Sequence, residues 1–291
     1  MTEALFGPAG NSELFTATVS KRTIDAFPYL KNLGLTAYEY QCGNGVHVGK
    51  ETAEKIGETA KAHGIALSLH SPYFISLTNL DNLEKNIKYT LDSCAAAKAM
   101  GATRIVVHTG SATGRDRGEA TADALTTLKE LLGAMEATGY AGITLCPETM
   151  GKLNQLGTLS EVLSLCRADE RLLPCVDFGH LYARTHGELD GQGAFAAMLD
   201  EMENAIGKER ARVFHSHFSK IEYSKGGEKR HMTFDDNGGF GPDFAPLASL
   251  VAERGYAPTF ICESRGTQDI DAAAMQRLYR EAKKALDSPL A

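Results

Sequence analysis

Short apolar runs recur along the chain, each closing on a polar turn and each followed by a stretch of helical spacing. The runs span 4–7, 36–40, 65–70, 104–108, 143–148, 173–177, 211–215 and 259–263. Helices are predicted near 50–63, 81–100, 119–138, 158–167, 192–207, 243–254 and 271–286, with a weak segment around 20–33. In KETAEKIGETAKAH, Ala53, Ile56 and Ala60 fall on one face and Gly64 stops the helix. Asp81 is a natural N-cap for the next helix and Gly101 its stop. Eight strand–helix units at this spacing predict a single (β/α)8 TIM barrel over residues 1–291, with no room for a second domain. An open doubly wound sheet ranks below it. The Gly43-x-Gly45 pair lacks the third glycine of a dinucleotide fingerprint and does not follow the first strand. The segments 178–191 and 216–242 are predicted as long loops, and long ordered loops are commonly functional.

The strand ends carry the chemistry. Six successive runs stop at His70, His108, Glu148, Asp177, His215 and Glu263. A parallel barrel gathers the C-terminal ends of its strands at one mouth, so these side chains should converge there. Glu148 and Asp177 follow buried apolar runs directly, where an unpaired charge is costly and coordination of a metal would offset that cost. His180 follows Asp177 by three residues. His215 is read as the inner ligand because it ends its apolar run, with His217 as the alternative; a strand that continues would put both on one face. His231 lies in the long loop, ahead of the glycine-rich Gly238-Gly239-Phe240-Gly241. Imidazole and carboxylate without thiolate suit zinc or manganese.

Length and composition agree with an enzyme of this kind. The 291 residues exceed the roughly 250 that one such barrel needs. Apolar content of 43% and charged content of 23% are ordinary for a soluble protein. The start MTEALFGPAG lacks the marks of a signal peptide and no run reaches the ~20 apolar residues of a membrane span, so a cytoplasmic protein is expected. None of the six cysteines forms a C-x-x-C pair, and they read as packing residues. A formal net charge of −7 argues against a uniformly basic nucleic-acid binder, although bound cations would reverse the sign at the mouth.

Taken in order, HSPYFISLTN, CPETMGKLNQLG, CVDFGH, FHSHFSK, KRHMTFDDNGGFG and FICES resemble the motifs of the endonuclease IV family of apurinic/apyrimidinic endonucleases, within the xylose-isomerase-like TIM barrels. The resemblance covers nearly the whole chain. It implies hydrolysis of DNA 5′ to abasic sites by a cluster of two or three zinc ions, with manganese as an alternative. It assigns His70, His108 and Glu148 to one ion, and Glu148, Asp177, His215 and Glu263 to a second. His180 and His231 go to a third. Glu148 and Glu263 become the catalytic carboxylates, and Tyr73, Lys220 and Arg230 the contacts to abasic or damaged DNA. The chain departs from the family at the third-ion aspartate, where Lys229 stands; Asp235, Asp236 or Glu228 could replace it. It also has Thr149 for an asparagine, His217-Phe218 for Asn-Asp, and Gly7-Pro8 where a histidine is expected. The rival is a sugar isomerase or epimerase of the same superfamily, using Glu148, Asp177, His215 and Glu263 around one metal. A barrel that merely binds metal or a partner leaves the converging carboxylates unexplained.

Overall fold

The computed structural model describes residues 3–287. Its barrel strands are β1 (Leu5–Pro8), β2 (Ala37–Gln41), β3 (Ala66–His70), β4 (Arg104–His108), β5 (Thr144–Glu148), β6 (Cys175–Asp177), β7 (His215–Phe218) and β10 (Thr259–Cys262). All neighbours run parallel, in the order β1-β10-β7-β6-β5-β4-β3-β2. The remaining gap closes between β1 and β2 through a parallel bridge from Ala9 to Glu39 and the bond from Gly10 N to Glu39 O (2.9 Å). Eight parallel strands with surrounding helices thus form a nearly closed barrel, as the alternating pattern predicts. No helix among the described residues is long and apolar enough to cross a membrane.

The period-two alternation of each strand divides its residues between two environments. Phe6, Leu69, Ile105, Val107, Leu145, Val176 and Phe260 join the large core beneath the helices, while Val106, Cys146 and Cys175 form a separate small apolar cluster with Leu173. Two residues beyond Val106, Cys146 and Cys175 on the same strands stand His108, Glu148 and Asp177, so the barrel interior turns from apolar to ionisable toward the mouth. Arg104 reaches across the interior to the Val213 carbonyl (2.9 Å) and the Thr259 hydroxyl (3.3 Å). All six cysteines are buried and free.

Three segments differ from expectation. The weak segment near 20–33 is a 3-10 turn, Thr23–Asp25, running into a short helix, Ala26–Asn32, and a further short helix that was not expected, Glu13–Thr18, precedes it, capped by the Ser12 hydroxyl on Phe15 N (2.9 Å). The loop 178–191 begins with a helix, Phe178–Arg184, because Asp177 caps it. The loop 216–242 contains the rest of β7 and an antiparallel hairpin, β8 (Lys220–Ser224) and β9 (Gly227–Met232).

Gly7 makes the closure of the barrel possible. A Cβ there would fall 1.8 Å from the Ala37 carbonyl oxygen on β2, a contact with backbone that no rotamer relieves. Gly7→Ala is expected to destabilise the fold by roughly 3 kcal/mol, the upper end for overpacking, as read from the denaturant midpoint. An unchanged midpoint would contradict the close approach.

Candidate metal centre

The mouth is a cavity of about 600 Å³ lined by His70, His108, Glu148, His180, Glu228, His231 and Glu263, with Tyr73 at its rim. Glu148, 1% exposed at the end of β5, lies at its floor. One carboxylate oxygen faces His70 Nε2 (3.4 Å) and His108 Nε2 (3.3 Å). The other faces His217 Nδ1 (2.9 Å) and His180 Nδ1 (3.6 Å). Of four groups of ligand-capable atoms among the described residues, each with its atoms within 4.8 Å of one another, three meet here: His70, His108 and Glu148; Glu148, Asp177, His217 and Glu263; and His180, Glu228 and His231; the fourth, Cys175, His215 and His217, is fully buried. Glu148 belongs to two of them.

The imidazoles are held from behind. His70 Nδ1 lies 2.8 Å from the Ser71 carbonyl and His180 Nδ1 2.9 Å from the Thr149 carbonyl. A carbonyl only accepts, so those nitrogens carry the proton and Nε2 offers its lone pair on the other side of the ring. His231 Nδ1 is fixed by the Ser219 hydroxyl at 2.7 Å. This arrangement, one ring nitrogen bonded to protein and the other turned inward, is the one that metal-binding histidines use.

His217, and not His215, stands in the group with Glu148, Asp177 and Glu263. The apolar pattern predicts a strand ending at His215, whereas β7 begins there and pairs His217 with Asp177 on β6. Two residues back, His215 sits deeper, with Nε2 2.9 Å from Glu39 and a buried Nδ1 that has no hydrogen-bond partner. Glu39 itself was missed. It is fully buried on β2, and its other oxygen lies 2.9 Å from His217 Nε2. The signal was a lone charge within the aromatic run TAYEY.

The third group depends on a β-bulge. Glu228 pairs with Tyr223 and Arg230 with Glu222, which leaves Lys229 as the extra residue in β9. In a regular strand, positions three apart face opposite ways; one inserted residue restores Glu228 and His231 to the same side. Glu228 Oε2 then lies 3.4 Å from His180 Nε2, and Oε1 3.9 Å from His231 Nε2. Lys229 turns outward to pair with Glu222. Of the three substitutes considered for the aspartate, Glu228 is the one brought in; Asp236 accepts from Thr233 N (2.8 Å), and neither it nor Asp235 joins a group. The hairpin seats closely on the loop after β5, where Glu228 N donates to Gly151 O (3.1 Å). A Cβ on Gly151 would meet Glu228 Cβ at 2.5 Å.

Among the expected substrate contacts, Tyr73 is 55% exposed, with its ring stacked on His108 (centroids 5.4 Å, 19°). Arg230 shares Glu222 with Lys229, and the Lys220 ammonium donates to the Phe234 carbonyl. Other loop cations have structural work: Arg184 bonds to the carbonyls of Met150 (2.9 Å), Lys152 (2.8 Å) and Gln155 (2.9 Å).

Charge balance is what marks the site for cations. Glu39, Glu148, Asp177, Glu228 and Glu263 gather at and beneath one mouth, and their ion pairs among the described residues are with histidines alone. Burial pushes Glu148 up, but His217, His108 and His70 hold it well below the usual carboxylate range. Burial draws His217 down, and Cys175, Glu263, Glu39 and Glu148 together raise it well above an ordinary histidine. His180, drawn down by burial and raised chiefly by Asp177 and Glu228, lies at about 9. Asp177 is pushed up by burial; its Oδ1 accepts from His180 N (2.7 Å) and its Oδ2 is buried with no hydrogen-bond partner. An orphaned carboxylate oxygen beside neutralisable imidazoles fits a divalent ion, which binds such groups with loss of their protons.

The family model of the xylose isomerase-like TIM barrel matches residues 27–288, and the chain belongs to that family. An uncharacterized protein from Methanocaldococcus jannaschii is 29% identical over 279 residues, covering 95% of this chain and 97% of that protein. A probable endonuclease 4 from Streptomyces avermitilis is 28% identical over 241 residues, 78% of this chain and 74% of its own length. Among solved structures, a D-tagatose 3-epimerase-like protein superposes with a TM-score of 0.72 at 18% identity, covering 98% of this chain and 100% of that one, a likeness of fold.

Because each Glu148 oxygen faces a different group, Glu148→Gln should reduce metal content at both. Elemental analysis of the purified variant is expected to show a loss exceeding one equivalent. Full retention of metal would remove the bridging role.

Proposed function

We propose that this protein is a metal-dependent phosphodiesterase that hydrolyses DNA 5′ to abasic sites, with zinc ions held by the three groups at the barrel mouth. The observation that carries the reading is the surplus of ligands around Glu148. A single-ion site needs only Glu148, Asp177, His217 and Glu263. His70, His108, His180, Glu228 and His231 then have no task, although three of these five (His70, His180 and His231) are held by a hydrogen bond on Nδ1. When bound, the ions supply charge neutralisation at a phosphodiester and make water more acidic; manganese suits the same donors.

The chain's own residues hold and orient. His70, His108 and Glu148 would hold one ion, with the Ser71 carbonyl setting the His70 tautomer. Glu148 joins that group to Asp177, His217 and Glu263. Glu263, just past β10 and less buried than Glu148, turns its carboxylate toward the cavity, where it can accept a proton from an attacking water. The hairpin brings Glu228 and His231 over the mouth. Tyr73, exposed on the rim above His108, is suited to wedge into a minor groove and support a nucleotide turned out of the stack.

The family likeness to probable endonuclease 4 supports DNA as substrate. A second reading, a single-metal sugar isomerase or epimerase, has one observation in its favour: Glu148, Asp177, His217 and Glu263 by themselves make a complete four-ligand set. Metal stoichiometry separates the two, with two to three equivalents for the phosphodiesterase and one for the isomerase.

The direct test is an oligonucleotide with one abasic site. Zinc- or manganese-loaded protein should cut it on the 5′ side, with a rate that falls steeply as salt rises, because phosphate contacts release counterions. Tyr73→Ala should slow this cleavage by on the order of tenfold, the worth of a lost stacking contact of about 1–3 kcal/mol, and leave hydrolysis of a small phosphodiester largely intact. No cleavage by metal-loaded protein, together with turnover of a ketose, would replace this reading with the isomerase.

A further inference from the structure

Glu39 is a fully buried carboxylate that the cleavage chemistry does not use. It stands on β2, across the barrel from β7, and reaches through the interior to two imidazoles. Oε1 lies 2.9 Å from His217 Nε2 and Oε2 2.9 Å from His215 Nε2. The Ser68 hydroxyl donates to Oε2 (2.9 Å) and the Gln41 amide to Oε1 (3.2 Å), so each oxygen has two partners. A charge this deep in a barrel is expensive, and an apolar residue would fill the space at lower cost unless the carboxylate served the site.

The two imidazoles are not equivalent. His217 Nδ1 faces Glu148 Oε1 (2.9 Å) and Glu263 Oε1 (3.5 Å). His215 Nδ1, by contrast, is buried with no hydrogen-bond partner and faces none of these carboxylates. Each ring nitrogen of His217 thus faces a carboxylate; with an ion held by Glu148, Asp177 and Glu263, Nδ1 would give up its proton to join them, and Glu39 would keep the remaining proton on Nε2. We infer that Glu39 is a positioning residue for the ion of the four-residue group, acting through His217 to set the tautomer, the ring angle and the basicity of its Nδ1. The inference rests on the reading that this group holds an ion, and is independent of the substrate.

Removing a partner of this kind lowers metal affinity by on the order of 10- to 100-fold. Zinc retention against a graded chelator, in the full-length protein, reads this without reference to activity. Glu39→Gln can still accept the His217 proton but carries no charge, and should weaken one zinc equivalent about tenfold. Glu39→Leu can do neither and should approach 100-fold, the other equivalents staying in place. His215→Gln, at the same depth, should hold zinc as wild type does. Equal retention by Glu39→Leu and wild type would overturn the inference, as would an equal loss in His215→Gln, which would mark general damage to the interior. If wild type itself holds no zinc, the metal reading fails instead. Should the Glu39 variants not fold, nitrogen-15 spectra of the zinc-loaded wild type decide: the proton of His217 on Nε2 with zinc at Nδ1 is expected, and the reverse assignment overturns the proposal.

Discussion

Keeping Glu148 ionised inside the barrel is the constraint on which the rest of the mouth depends. Its carboxylate is almost wholly out of water, and an isolated charge there would take up a proton. His70, His108, His180 and His217 surround it, one pair on each oxygen apart from the longer His180 contact. The charge therefore persists only as part of a set. Three of these histidines are fixed in turn through a ring nitrogen, His70 by the Ser71 carbonyl, His180 by the Thr149 carbonyl and His217 by Glu39 on β2.

That requirement explains features which look unrelated along the chain. The Ser71 and Thr149 carbonyls are free to accept because both residues follow directly on strand ends, where the ladder has stopped. The Asp177 side chain, which ends β6 and starts the next helix, has one oxygen used as a cap and one left over. The bulge at Lys229 turns a strand of the hairpin so that an acid and an imidazole three residues apart look the same way. Glycine at 151 allows that hairpin to lie against the loop after β5 without a steric conflict. These are local devices, and all of them serve one cluster of like groups packed closer than their charges alone would permit.

Much of this was legible in the sequence. Apolar runs of four to six residues alternating with helical spacing are enough to predict the barrel, and residues at the ends of buried strands must point to the mouth. His70, His108, Glu148 and Asp177 follow from that rule, and Glu263 lies one residue past its strand. The rule fails at β7, since Val213-Phe214 are apolar yet precede the strand, and HSHF, polar at three of its four positions, is buried throughout. Glu39 was hidden for a related reason: it lies mid-strand, and only closure of the barrel shows that its carboxylate meets β7. The Glu228–His231 pair was beyond reach because a bulge is set by tertiary seating, not by the composition of the strand. Lys220 and Arg230, read as substrate contacts, illustrate the converse. A basic residue in a loop has no fixed role until its neighbours are known, and here the Phe234 carbonyl and Glu222 take them up.

In the proposed arrangement one buried carboxylate joins two ion sites and the hairpin carries a third. Anomalous diffraction at the zinc edge, from crystals grown with zinc, tests it directly. Expected are a peak between His70, His108 and Glu148, a second among Glu148, Asp177, His217 and Glu263, and a third between His180, Glu228 and His231. A single peak confined to the second group in zinc-saturated crystals would contradict it.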